Sequence, residues 1–208
     1  MGEEGECRVF AEHEGGEVRR ASLELLAKGR ELADELSEKL SAVILGWRVE
    51  GAARSLTRHG ADKVYMVEHP LLGEYQVDLY CKAVSDLASE RRPDAILFSS
   101  TFTGRDLAPR VAKRLGTGMT ADCVELRVDR ERRLIKQVKP SFGGNIMAEI
   151  VIRRKPQIAT VKPGVAEVRE EDRSGVIVRV HPDLSEGEVK TRRLKITPSG
   201  RTVDLEEA

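Results

Sequence analysis

The sequence predicts an α/β fold, a parallel sheet with helices on both faces, extended by antiparallel strands. Three observations predict it. Short, wholly apolar runs, as at residues 42–45 and 95–98, suit strands covered on both faces. Between them lie segments with apolar residues every third or fourth position, the stripe of a packed helix. Strand and helix alternate four times up to Gly116, the pattern of parallel βαβ units. After Gly116 strand-like runs follow with no helical pattern between them.

Taken in order, residues 7–11 form a short strand that ends at a Gly15-Gly16 turn. The stripe Leu26, Gly29, Ala33, Leu36 and Leu40 marks a helix over residues 21–40. A glycine inside that helix costs stability relative to alanine, and a close approach of the helix to the sheet gives a reason to keep it. Residues 42–46 make the next strand, and Val49, Ala52, Ala53 and Leu56 a short helix stopped by Gly60 in a left-handed conformation. Residues 64–67 are the third strand. Val77, Tyr80, Cys81, Val84, Leu87 and Ala88 mark a helix that ends before Pro93. The strand at 95–98 leads through Thr101-Phe102-Thr103-Gly104-Arg105-Asp106 into a helix carrying Leu107, Ala108, Val111, Ala112 and Leu115. Strands are expected at 120–128, 134–138, 146–152 and 158–161, the first two joined by the polar turn 129–133. The body is expected to span residues 1–163, and Pro163-Gly164 to open a tail, 164–208, with weak strands at 176–180 and 189–196. That tail has too few apolar residues to fold alone and is expected to lie on a neighbouring element or subunit.

Composition removes several function classes. Thirty-five acids balance 35 bases, and aromatic residues make up 4%. Neither a net positive field nor stacking platforms therefore argue for nucleic acid. The amino terminus is acidic where a secretion signal is basic and then apolar. No apolar run approaches the length of a membrane span. Cys7, Cys81 and Cys123 are odd in number and widely spaced, as in reduced buried thiols of a cytoplasmic protein.

The motifs are sparse in catalytic chemistry. Gly116-Thr117-Gly118-Met119-Thr120-Ala121 spells a dinucleotide fingerprint, but it follows a helix and precedes a strand, the reverse of what the fingerprint needs. It is read as a helix-ending turn. His13, His59, His69 and His181 lack metal-ligand spacing, and no nucleophile stands beside a base. No catalytic or metal-binding residue is assigned. Thr103, Gly104, Arg105 and Asp106 are the weak candidates for holding a cofactor, because exposed amides at a helix start bind phosphate. The bland reading is that the turn only caps its helix, with Thr103 as the cap and Asp106 returning to the Thr103 amide. Pro109 deprives the Arg105 carbonyl of a partner, so either the regular helix starts near Ala108 or its first turn is distorted. Ser141-Phe142-Gly143-Gly144-Asn145 reads as a glycine-rich hairpin turn.

Four ordered blocks carry a resemblance: 103–112 with Leu115, 117–123, 139–148 and 156–164. They resemble the amino-terminal domain of the alpha subunit of electron transfer flavoproteins, as do residues 9–13 and 22–26. The resemblance implies a Rossmann-like, adenine-nucleotide-hydrolase-like fold and a scaffold role in a heterodimer with a beta subunit. In that family electrons from dehydrogenases pass through FAD to a quinone reductase or another acceptor. The FAD contacts lie in a carboxy-terminal domain, in cis or trans, that this sequence does not include. No FAD-contact residue can therefore be assigned here, and the chain alone is expected to hold none. Arg105, Asp106, Arg110, Thr120, Asp122, Phe142, Gly143, Gly144 and Asn145 become family-motif and interface residues. The alternative reading is a free-standing AMP/ATP-binding module of universal-stress type, with a small-molecule hydrolase a distant third.

Overall fold

The computed structural model describes residues 5–171, 174–190 and 195. Its centre is β1 (Glu6–Ala11), followed by a small hairpin of β2 (His13–Glu14) and β3 (Glu17–Val18) turned at Gly15 and Gly16, both at positive φ. Four helices and three further core strands follow: α1 (Arg20–Leu36), β4 (Lys39–Gly46), α2 (Glu50–Arg58), β5 (Lys63–Glu68), α3 (Val77–Arg91), β6 (Ala95–Ser99) and α4 (Phe102–Leu115). Then come β7 (Met119–Cys123), β8 (Glu125–Asp129), β9 (Leu134–Ser141), β10 (Ile146–Val151), β11 (Gln157–Val161) and β12 (Val176–Val180).

Seven strands form one sheet in the order β12-β5-β4-β1-β6-β11-β7, and every pair in it is parallel. Alternation along each strand splits the core into two layers. Cys7, Val9, Ala42 and Ile44 pack with α1 and α2, while Phe10, Val43, Leu45 and Phe98 pack with α3 and α4. Because each strand is covered on both faces, the apolar runs are continuous. A second, antiparallel sheet, β10-β9-β8, extends the first, its Leu126 and Ile135 buried in the α1 layer. Ion pairs from its turns and from the loop after β10 tie it to the body: Arg133 to Glu38 at 2.9 Å, Arg130 to Glu35 at 3.3 Å, and Lys155 to Asp94.

Several local expectations are corrected. Leu40 belongs to β4, not to the first helix, which stops at a left-handed Ser37 whose amide bonds to the Ala33 and Asp34 carbonyls. The single strand expected over 120–128 is two strands in two sheets. Asp122, at φ 58°, breaks it, and β8 leaves for the antiparallel sheet. The 158–161 segment is not part of an antiparallel extension; it inserts parallel between β6 and β7. The 176–180 strand does lie on a neighbouring element, pairing with β5 at the sheet's far edge. The strand expected at 189–196 falls mostly outside the described residues.

Candidate functional site

The chain leaves β1 towards β4 and β5 on one side, then crosses back to β6 on the other. The carboxyl ends of β1 and β6 therefore flank the crevice where open α/β sheets place ligands. Here the protein's own side chains bond across its α4 end. Thr101 is the cap of α4; its hydroxyl accepts from the Gly104 amide at 3.0 Å and donates to Glu12 Oε1 at 2.6 Å. Ser22 Oγ in turn accepts from the Glu12 amide at 2.9 Å. Gly104 seats the helix start directly on β6: a Cβ there would lie 1.9 Å from the Ser99 carbonyl oxygen. The first-turn amides of Gly104 and Arg105 are spent on the Thr101 side chain and carbonyl.

This corrects the capping expected from the sequence. Thr101, not Thr103, is the cap, and α4 runs unbroken from Phe102 with Pro109 inside it. Asp106 does not return to the Thr103 amide. Its carboxylate accepts from the Tyr75 hydroxyl at 2.8 Å and from two nitrogens of Arg110, each at 3.1 Å. Burial, then Asp106, push the Tyr75 phenol up, and burial raises Tyr80 to about 12, so both remain neutral donors.

Arg105 points the other way and joins Asp122 at 3.0 Å. The left-handed turn at Asp122 is held by its amide, which donates to Thr160 Oγ1 at 2.9 Å, while the Thr160 and Ser100 hydroxyls share a hydrogen bond at 3.0 Å. Partial burial works against ionisation of Asp122, but hydrogen bonds from Ser100 and Arg105 and the charge of Lys162 hold its carboxyl below the usual range. Thr120 is buried two residues earlier in the main sheet. Phe142, Gly143, Gly144 and Asn145 lie at the turn between β9 and β10, where Phe142 is 81% exposed. Gly143 and Gly144 take φ of 67° and 92° with open space around them, so backbone conformation rather than room selects glycine.

A cleft of about 340 Å³ opens at this switch point, lined by Phe10, Glu12, His13, Arg19, Tyr75 and Thr103 among others. Thr103 thus reaches a cavity, but Glu12 and Glu14 put carboxylates in its wall, and Arg19 is already held by Glu14 at 3.0 Å. A phosphate would meet negative charge there. The residues at the switch point do not fit a dinucleotide. Glu12, Thr101 and Tyr75 were not singled out from the sequence. An acid immediately after the first strand and a threonine two residues after the fourth were the available signals. No group of three or more possible metal ligands occurs among the described residues.

The model for the electron transfer flavoprotein domain matches residues 7–185. The chain belongs to this family. It is 43% identical over 204 residues to the electron transfer flavoprotein subunit alpha of Thermoanaerobacterium thermosaccharolyticum, covering 96% of this chain and 62% of that one. Protein FixB of Clostridium saccharobutylicum is 44% identical, with 96% and 60% covered. The acryloyl-CoA reductase electron transfer subunit beta of Anaerotignum propionicum is 37% identical, with 95% and 61% covered. The chain thus spans about three-fifths of the length of these relatives and corresponds to their amino-terminal portion. Among its described residues no helix is long and apolar enough to cross a membrane.

Proposed function

We propose that this chain is the assembly and scaffold domain of an electron transfer flavoprotein alpha subunit, working in the cytoplasm as half of a heterodimer with a beta subunit. The observation that carries this reading is the acidic, internally bonded switch point. A nucleotide-type fold whose phosphate seat is occupied by Glu12 and Thr101, with Gly104 packed on Ser99, offers surfaces rather than a cofactor site. The FAD of the family is assigned to a domain beyond residues 1–163, with 164–208 as the lead towards it. When bound there, FAD supplies the redox step from dehydrogenases to a quinone reductase or similar acceptor. This chain's residues supply position: Arg105–Asp122 and Tyr75–Asp106–Arg110 brace the two sides of α4. The motif residues at the 142–145 turn present a surface to the partner.

Absorbance of the purified chain tests the reading. It is expected to be colourless, to give no heat with AMP or ATP, and to form a one-to-one complex with the beta subunit. Stoichiometric flavin in the chain alone, or micromolar nucleotide binding, overturns it.

A further inference from the structure

Two ties between the antiparallel sheet and the body end on one pair of acids. Arg133, in the turn between β8 and β9, reaches Glu38 at 2.9 Å, and Lys155, in the loop after β10, reaches Asp94. Both bases sit at the same end of the sheet, because Val151 at the close of β10 stands opposite Lys136 near the start of β9. The two bases are half-exposed, whereas the Glu38 side chain is 2% exposed and that of Asp94 16%.

The acids crowd one another. A Cβ on Gly5 would lie 2.6 Å from Asp94 Oδ2 and 2.7 Å from Glu38 Cδ, so the two carboxyl groups stand no farther apart than those distances together. Their oxygens are unequally used. Asp94 Oδ2 accepts from the Glu6 amide at 3.2 Å, Asp94 Oδ1 takes Lys155, and Glu38 Oε1 takes Arg133. Glu38 Oε2 is buried and has no hydrogen-bond partner among the described residues. A charged oxygen is costly in that position, and two carboxylates sharing a site favour a proton on one of them.

The other titratable and charged groups around the pair do not serve this oxygen. Glu6 on β1 is held by Arg8, and the Cys7 thiol beside it is buried. Arg30 of α1 gives its charge to Asp34 and Asp62, and its Nη2 donates to the Glu38 carbonyl at 3.4 Å. Arg133 and Lys155 are the bases that oppose the repulsion between the acids.

We propose that Glu38 and Asp94 form a proton-operated latch. As pH falls, a proton taken from solvent onto Glu38 Oε2 leaves Arg133 without a charge to hold, and the 130–133 turn and this end of the antiparallel sheet come free of the body. The coupling is reciprocal. A turn that swings away takes Arg133 with it and leaves the acids unmatched, so the open form binds the extra proton. Closure is therefore complete above the pH at which the open form titrates, and it weakens as pH drops through that range. Whole-chain stability moves the other way, since a neutral Glu38 relieves repulsion within the body while leaving the turn unheld.

Hydrogen exchange of the full-length protein at pH 7.5 and pH 5.5, corrected for intrinsic rate, tests the latch. Peptides covering residues 130–135 are expected to lose protection about threefold or more at the lower pH, while those of β4 and β6 keep theirs. Glu38→Gln is expected to show the acid-form exchange at both pH values, and Asp94→Asn to move the transition to lower pH. Arg133→Gln is expected to raise the titration of Glu38 followed by carbon-13 NMR. Protection at 130–135 that does not change with pH overturns the latch, as does the same pH dependence in Glu38→Gln as in the wild type. A Glu38 titration unmoved by both Asp94→Asn and Arg133→Gln overturns it as well.

Discussion

Gly104 and Thr101 together decide how α4 meets the sheet. A methyl group at Gly104 has only the Ser99 backbone to push against, and backbone yields less readily than a flexible side chain. Gly104→Ala is expected to cost about 2 kcal/mol or more, read as a lower urea midpoint at unchanged slope. Thr101→Ala removes the cap, about 1 kcal/mol, and strips a donor from buried Glu12, about 1–3 kcal/mol more. Thr101→Ser keeps both bonds and is expected to restore most of the loss. Arg105→Ala, by contrast, breaks a half-exposed pair and is expected to change stability by less than about 1 kcal/mol. The thiols give a further check. Burial, then the nearby Glu38 and Glu6, push Cys7 to about 12, and burial pushes Cys123 to about 11 and raises Cys81. A disulfide reagent at pH 8 is expected to find no fast-reacting thiol in the native chain and three after denaturation.

At the scale of elements, Gly29 shows two opposed effects. Alanine would favour helix α1 by about 1 kcal/mol, but its Cβ would stand 2.9 Å from Leu40 Cδ1 and 3.0 Å from Val9 Cγ2. Overpacking of about 1–3 kcal/mol outweighs the gain, so Gly29→Ala is expected to lower the melting temperature. Pro109 is the reverse case. It is exposed and supplies no amide to the Arg105 carbonyl, so Pro109→Ala is expected to stabilise α4 by about 1 kcal/mol or more. The close packing at Gly29 could be anticipated from a glycine on an apolar stripe, and the βα alternation from apolar runs of four or five residues. What escaped the sequence were choices made by distant partners. The break at Asp122 depends on Thr160, 38 positions away. The cap moved from Thr103 to Thr101 because Glu12, 89 positions from Thr101, was waiting for a donor. Local pattern carries neither. The family was legible from its motif blocks, but the grouping of those residues into an α4 brace and a separate hairpin tip was not.

Across the whole molecule, the antiparallel sheet is held at a charged seam. Burial, then Asp94, raise the Glu38 carboxyl despite Arg133 and Lys155. A carboxyl raised in the folded chain binds protons that the unfolded chain has already lost, so its contribution falls as pH climbs above the ordinary value of 4.5. Glu38→Gln is therefore expected to raise the urea midpoint at pH 7, with the difference shrinking as pH is lowered towards 4.5. If the variant is weaker at pH 7, the Arg133 pair outweighs burial. The position of β12 has another consequence. The central strand is made first, but β6, β11 and β7 join one of its flanks from far along the chain, and β12 reaches the opposite margin after them. During synthesis the β5 edge therefore stays open until residues beyond 180 have left the ribosome. Until then the nascent chain exposes Tyr65 and its neighbours to any passing strand, and a pause in translation before β12 is the moment of greatest risk.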